Sequence, residues 1–315
     1  MLHNRMTDRA LVVGVDGSPS AALAVAWGVD AARRHDSGLR LVVAYRDHPL
    51  ADAVRERVGQ NPAEELTSWA VALERLETAA ANARRLGPDL VVETSAMAGP
   101  ATSVLPRASE SAAAIVVGCR RLGPIHRVVT TSVSGTLAAS ASCPVVVVRA
   151  SPSRSIGDTR VVVGVAGPES ASALELAFDE AARFGAGLTA VHVPCTGTRD
   201  QTMSTADHHD HMAEDGHAML RHMLHPLRSA YPNVDVRSNV VQGSAASRLV
   251  TLSENARLLV LGARTSGSSS VPALGRVQRE VLRRSHCPVA VAHVSPVGAG
   301  LPGHLSDHTA RKARR

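Results

Sequence analysis

The chain has 315 residues, enough for about two domains that each bury a core of their own. Apolar residues make up 44% and charged residues 20%, as in an ordinary globular protein, and no apolar run approaches the ~20 residues that cross a bilayer. The formal charge of +6 does not indicate a nucleic-acid partner. The tail after Ala299 carries four basic residues against Asp307, and two Trp, two Tyr and two Phe offer no base-stacking platform.

The placement of lysine and of apolar segments excludes further classes of function. Lys312, in the tail, is the only lysine, which excludes Walker A phosphate binding and Schiff-base catalysis, because both need a lysine inside the fold. The first nine residues contain no apolar segment, so we expect no signal peptide and a cytoplasmic location. We expect neither nucleic acid nor a membrane among the partners of this protein.

The chain contains one internal repeat. Leu11-Val-Val-Gly-Val-Asp-Gly-Ser18 returns as Val161-Val-Val-Gly-Val-Ala-Gly-Pro168, Ile115-Val-Val-Gly118 returns as Leu259-Val-Leu-Gly262, and Ser142-Cys-Pro-Val145 returns as His286-Cys-Pro-Val289. Landmarks that recur in the same order indicate a duplicated domain. We predict a first domain over 1–150, a second over 159–296, a polar linker between them and a flexible basic tail over 297–315.

In chain order, strands are predicted at 10–15, 39–45, 89–95, 113–118, 144–149, 160–165, 187–193, 234–241, 257–262 and 288–294. Runs such as Val145-Val-Val-Val148 are apolar at every position, which is typical of parallel strands that are covered on both faces. The longest helix of the first half is predicted to start at Asn61-Pro62, an N-cap followed by a first-turn proline. Strands alternating with helices predict an α/β fold in which each half is a doubly wound, five-stranded parallel sheet.

Candidate site residues follow two of these strands. Folds of this class bind ligands outside the carboxyl ends of the strands, where the strand order reverses. Gly14 and Asp16 stand at the end of the first strand and Gly118 at the end of the fourth. A glycine lets the backbone approach a ligand, and a carboxylate accepts hydrogen bonds from an adenine amine or ribose hydroxyls. Thr130-Thr-Ser132 is predicted to open a helix, whose free N–H groups would point towards phosphates.

The order of these features resembles the universal stress protein family over both halves. The resemblance rests on the first-strand Asp16 and on a Gly-x-x-Gly, nine residues, Gly-Ser/Thr signature, here Gly118-Cys-Arg-Arg121, Leu122 to Thr130, then Thr131-Ser132. It implies an adenine nucleotide alpha hydrolase-like fold with strand order 3-2-1-4-5. It also implies ATP or another adenine nucleotide as ligand, with Mg²⁺ as a candidate companion ion.

The family pattern implies a set of ligand-binding positions in the first half. The adenine would lie at Gly14, Asp16 and Ala44, and the phosphates near Gly118, Gly123, Ser132 and Val133. Arg121 and Thr131 depart from two family glycines, and a Cβ at these positions closes the backbone approach or demands a positive φ. Arg120 and Arg121 are able instead to neutralise phosphates as bidentate donors.

The second half retains only part of the family pattern. Three candidate positions remain, Gly164, Gly262 and Gly275, while three residues depart from the pattern: Ala166 for the carboxylate, Thr265 for a glycine and Arg276 for the hydroxyl. We therefore expect the second site to be weakened or lost. The first half is the better candidate for nucleotide binding.

Other interpretations stay open for the same residues. Gly14 and Gly118 are also explained as turn glycines, and Asp16 as an Asx-turn or a helix cap. The leading function is a nucleotide-binding stress or regulatory protein. The alternatives are an interaction module that has lost the nucleotide, and last an enzyme of a related fold, such as an adenylating ligase, for which the chain lacks the required motifs. We expect no catalytic residues and at most incidental ATP hydrolysis.

Cysteine and histidine positions do not favour a metal site. Four dispersed cysteines without a Cys-x-x-Cys pair predict buried, reduced thiols. His208, His211 and Asp215 share one face of a predicted helix, but the first half has no counterpart, which favours a solvated helix or loop. The resemblance also implies that strands 144–149 and 288–294 pair within the chain, with a homodimer as a further possibility.

Overall fold

The structure, a computed structural model, describes residues 10–45, 62–119, 133–149, 160–194, 205–263 and 274–293, and for 62–67 and 205–210 it describes the backbone alone. The chain divides into two compact units, residues 1–150 and 151–315. Among the helices in the described ranges, none combines the length and the apolar character that a membrane span requires.

The first unit alternates strands and helices. Its elements are β1 (Leu11–Val15), α1 (Pro19–His35), β2 (Leu39–Tyr45), α2 (Pro62–Leu86), β3 (Val92–Ala98), α3 (Ala101–Ser109), β4 (Ala114–Cys119), α4 (Val133–Ser140) and β5 (Val145–Arg149). The strands are parallel and lie in the order β3-β2-β1-β4-β5, which confirms the predicted 3-2-1-4-5 sheet. Central residues such as Val13, Ile115 and Val145 are fully buried because helices cover both faces of the sheet.

The second unit repeats this architecture. Its elements are β6 (Arg160–Val165), α5 (Ala171–Phe184), β7 (Leu188–His192), α6 (Thr205–Ala230), β8 (Val236–Val240), α7 (Ala245–Leu252), β9 (Ala256–Gly262), α8 (Arg276–Arg284) and β10 (Val289–Ala292). The parallel strands are ordered β8-β7-β6-β9-β10, again 3-2-1-4-5 when numbered within the unit. A short 3-10 turn, Pro168–Ser170, leads into α5.

Helix α1 starts close to the end of β1 because three residues reverse the chain. Asp16 accepts a hydrogen bond from the Ser18 N–H at 2.9 Å, and Gly17 adopts a φ of +78°, which L-residues rarely adopt. Ser18 is the N-cap of α1 and accepts a hydrogen bond from the Ala21 N–H at 3.2 Å. Pro19 then occupies the first turn, where its missing N–H costs nothing. The tight turn holds the Asp16 carboxylate at the end of the strand.

One predicted strand is displaced along the chain. The third strand was predicted at 89–95, whereas β3 spans Val92–Ala98 and pairs with β2 from Leu39 opposite Val92 to Tyr45 opposite Ala98. Leu90 belongs to a turn, because its N–H donates to the Gly87 carbonyl at 3.1 Å. Pairing with β2, rather than apolar character, sets the extent of this half-exposed edge strand. The other predicted strand ends agree with the structure to within two residues.

Candidate functional site

The ends of β1, β2 and β4 lie side by side at one edge of the first sheet. Gly14 of β1 is opposite Val117 of β4 on one side and Val42 of β2 on the other. The strands are parallel, so the residues that follow these three positions share the carboxyl edge. The edge thus brings together Asp16, Ala44 and Gly118, which the sequence selected from three separate segments.

Asp16 is exposed in the turn between β1 and α1. Its Oδ1 accepts the Ser18 N–H, the Asx-turn arrangement that the sequence left open as an alternative. This hydrogen bond fixes the exposed carboxylate at the end of β1, beside the carboxyl edge of the sheet.

Gly118 is a glycine because α1 packs directly on β4. A Cβ at this position would overlap the carbonyl group of Ser20 and lie 2.8 Å from the Ala21 nitrogen. Gly14 has its neighbours on the opposite face, where an added Cβ would lie 3.1 Å from the Leu105 side chain. Helix packing thus explains both glycines without a ligand, which supports their alternative interpretation as structural glycines. Asp16 is therefore the stronger indication of a binding site.

A cleft of about 620 Å³ opens beside Asp16, between α1 and α2. Its lining is mainly small or apolar, with polar side chains at the rim, and comprises Val15, Asp16, Gly17, Ser18, Ala21, Ala22, Val25, Val71, Glu74, Arg75, Thr78, Ala79 and Asn82. The Arg75 side chain crosses the Gly17 backbone, where an added Cβ would lie 3.0 Å from its Cγ. A guanidinium side chain on α2 therefore lies beside the β1 turn, which no sequence motif indicated.

The phosphate end of the predicted site is described in part. Arg120, Arg121, Gly123 and Ser132 lie outside the described residues, together with the predicted helix opening at Thr130. Val133 is the first residue of α4. The next residue, Ser134, places its Oγ 4.0 Å from the Sγ of Cys119, the last residue of β4. The start of α4 therefore stands against the tip of β4, as a phosphate site between strand and helix requires.

In the second unit, the Gln278 side chain lies in the region that corresponds to the phosphate end of the first predicted site. Gly164 packs against Leu249 and Leu261, and Gly275 is the N-cap of α8. Gln278, 8% exposed, donates its Nε2–H to the Gly262 carbonyl oxygen at 3.0 Å. Its Oε1 lies where a Cβ on Gly275 would stand. Gln278 therefore bridges the end of β9 and the start of α8.

Sequence reasoning did not single out Gln278. A spacing of 144 residues separates Gly118 from Gly262 and also Cys143 from Cys287, so Gln278 corresponds to Ser134. Aligning the two halves at this spacing shows that the second half has a long amide side chain where the first half has a short hydroxyl side chain. Its hydrogen-bond partner lies 16 residues away and follows only from the fold.

The structure describes Cys119, Cys143 and Cys287, whereas Cys195 and the side chain of His208 lie outside the described residues. Cys143 and Cys287 are buried, reduced thiols, and burial raises the pKa of Cys143 to about 12 and that of Cys287 to about 11. Cys119 is half-buried at the end of β4. His211 is exposed on α6 beside Glu214, at 3.8 Å, and the described side chains include no cluster of three potential metal ligands.

Two tandem units, each a five-stranded parallel sheet of order 3-2-1-4-5 between helices, define a duplicated α/β protein. A family model described as the universal stress protein family matches residues 9–149 and 159–293, so the chain belongs to this family.

Two relatives agree with this assignment, and one solved structure shares the fold. A universal stress protein of Mycolicibacterium smegmatis (strain ATCC 700084 / mc(2)155) is 31% identical over 296 residues, which are 90% of this chain and 97% of that protein. One from Mycobacterium tuberculosis (strain ATCC 25618 / H37Rv) is 32% identical over 297 residues, 90% and 96% of the two chains. The crystal structure of a universal stress protein from Archaeoglobus fulgidus DSM 4304 shares the fold, with a TM-score of 0.68, 20% identity and coverage of 91% of this chain and 99% of that one.

Proposed function

We propose that this protein binds ATP or another adenine nucleotide at the carboxyl edge of its first sheet and acts as a regulatory protein of the stress response in the cytoplasm. Occupancy of the site biases the conformation of the protein or its association with partners. Any hydrolysis is slow and incidental, so the proposed role is binding rather than catalysis.

The observation that carries the proposal is the position of Asp16. Its carboxylate is exposed at the end of β1, between the neighbouring parallel strands β2 and β4. This edge is where doubly wound sheets bind ligands, because the strand order reverses between β1 and β4. In the proposed complex the carboxylate accepts hydrogen bonds from the ribose or the adenine amine, and Ala44 presents no bulk that would block the base.

The phosphates would lie towards the start of α4, near Gly118, Ser132 and Val133, with Arg120 and Arg121 as charge partners. Free N–H groups at a helix start favour anions. The described side chains hold no ready cluster of metal ligands, so Mg²⁺ would be held mainly by phosphates and water, as is usual for this ion. In the second unit the proposed site at Gly164, Gly262 and Gly275 is weak or lost, because Ala166 replaces the carboxylate.

A second candidate is an interaction module that keeps the fold without a nucleotide. The packing of α1 on Gly118 favours it, because this glycine is needed even in an empty domain. Pairing of β5 with β10 inside the chain and a homodimer remain proposals for the surfaces that such a module would use.

Native mass spectrometry of gently purified protein tests between the two candidates. A co-purifying adenine nucleotide at about one per chain supports the binding proposal. Protein that carries none, and that takes up no labelled ATP in an equilibrium titration, supports the interaction module.

Asp16→Asn tests the proposed contact without disturbing the turn. The amide oxygen still accepts the Ser18 N–H, whereas the negative charge is lost. We expect ATP affinity to fall about tenfold, because a hydrogen bond to a charged group contributes about 1.5 kcal/mol or more. Glu110→Gln is the matched control: this exposed acid follows α3 at the opposite edge of the same sheet, and its loss should leave affinity unchanged. Equal affinities for all three proteins would remove Asp16 from the site.

A further inference from the structure

The buried Gln278 side chain lies between the end of β9 and the start of α8 in the second unit. Its amide donates to the Gly262 carbonyl oxygen at the tip of β9, at 3.0 Å, and its oxygen lies against Gly275 at the start of α8. Only 8% of Gln278 is exposed. The side chain therefore contacts both sides of this strand–helix junction, the tip of β9 and the start of α8.

Within the part of the first unit that the structure describes, Ser134 stands at the position that corresponds to Gln278. Ser134 is short, half-buried, and directed towards Cys119 at the tip of β4. Serine carries only a hydroxyl on its Cβ, whereas glutamine carries a methylene and an amide group there, so Ser134 takes up less space between strand and helix than Gln278 does.

We infer that Gln278 is a built-in occupant of the second strand–helix junction and that it limits the protein to one nucleotide per chain. The inference rests on the proposed function. The Gln278 side chain occupies the space between the strand tip and the helix start, where the phosphates of a ligand would lie. A ligand would have to displace a buried, hydrogen-bonded side chain, and the Gly262 carbonyl would lose its donor.

Helix capping is the competing explanation. Gln278 is the third residue of α8, and a glutamine at this position commonly reaches back to the N-cap residue. Capping predicts an effect on stability alone. Occupation of the junction predicts in addition a change in the number of bound nucleotides.

The experiment counts ATP per chain by native mass spectrometry for the wild type, Ala166→Asp, and the double variant Ala166→Asp with Gln278→Ser. Ala166 is exposed at the position that corresponds to Asp16, so the added carboxylate needs no rearrangement of the core. We expect one ATP for the wild type and for A166D, and two for the double variant. Two ATP in A166D, or one in a folded double variant, would overturn the inference.

The reciprocal variant Ser134→Gln introduces the long amide into the first unit. We expect its ATP affinity to fall at least tenfold, whereas the matched control Ser140→Gln, which adds the same amide side chain at the exposed end of the same helix, retains binding. Circular dichroism and thermal unfolding verify that each variant is folded. Unchanged binding by folded S134Q counts against the inference. A wild type that binds no ATP at all contradicts the proposed function instead, so the two failures are distinguishable.

Discussion

Gly118 links the packing of the fold to the candidate site. Helix α1 approaches β4 so closely that the Ser20 carbonyl occupies the position of a Cβ on Gly118. The same approach places the start of α1, and with it the turn that holds Asp16, next to the tip of β4. The glycine is therefore required for the geometry of the edge, whether or not a ligand lies over it.

Gly118→Ala should destabilise the first unit by about 1–3 kcal/mol, the usual cost of forcing extra volume into a packed core. The cost is expected at the upper end because the obstructing atoms belong to backbone. Gly262→Ala is the matched control, since its added Cβ would have no neighbour closer than 3.9 Å. Equilibrium unfolding in urea measures both variants. Similar losses for the two alanines would show that strand propensity, rather than contact with α1, dominates.

Arg160 joins the strand starts at the opposite edge of the second sheet. Its guanidinium donates to the Thr189 hydroxyl at 3.0 Å, to the Leu188 carbonyl at 2.8 Å and to the carboxylate of Asp235 at 2.6 Å. The arginine side chain is 10% exposed, while that of Asp235 is 67% exposed. Gly187 accommodates the guanidinium, which lies where a Cβ would stand. One buried cation thus ties β6 and β7 to the start of β8.

The Arg160–Asp235 pair predicts a pH-dependent difference between the wild type and Asp235→Asn. The hydrogen bond from Arg160 and its charge lower the pKa of Asp235. The ionised carboxylate therefore stabilises the fold at any pH above the pKa of the unfolded chain, about 3.9, and this contribution is lost as pH falls through the lower folded pKa.

Urea unfolding from pH 7 to pH 2 measures this difference. Wild type should exceed D235N in stability by a constant amount down to about pH 5. The gap should then shrink towards pH 2, and it should also be smaller at high salt because the carboxylate is exposed. The Arg160→Met background provides the control, since without the guanidinium the gap should be small at every pH. A gap that widens on acidification would contradict the assignment.

The sequence predicted the sheet architecture because its strands are nearly continuous apolar runs and its halves repeat. Val145-Val-Val-Val148 and the repeated Gly14 and Gly164 positions were sufficient for strand and repeat assignment. The displaced β3 shows the limit: its residues are half-exposed, so pairing with β2 determines its ends, and pairing is not visible in composition. Asp16 could be selected for the candidate site because it belongs to a sequence motif. Arg75 and Gln278 contact residues of other segments, Gly17 and Gly262, and such contacts follow only from the folded structure.

Two matching cysteines make the stability of each unit separately measurable. Cys143 precedes β5 in the first unit and Cys287 precedes β10 in the second. Each is 4% exposed, and burial raises their pKa values to about 12 and about 11. A thiol is alkylated through its thiolate, so both should be inert towards iodoacetamide at pH 8 in the native protein, and each should react only when its own unit opens.

Labelling in increasing urea, with peptide mass spectrometry to identify the modified cysteine, should therefore give one transition for Cys143 and one for Cys287. Each unit buries its own core, so we expect Gly118→Ala to move the Cys143 transition to lower urea by an amount that reflects the 1–3 kcal/mol loss and to leave the Cys287 transition in place. Half-buried Cys119 serves as the internal control for reagent access, since it should react at lower urea than either buried thiol. If both transitions shift together in G118A, the two units unfold as a single cooperative body, and a change in the first unit is transmitted to the second.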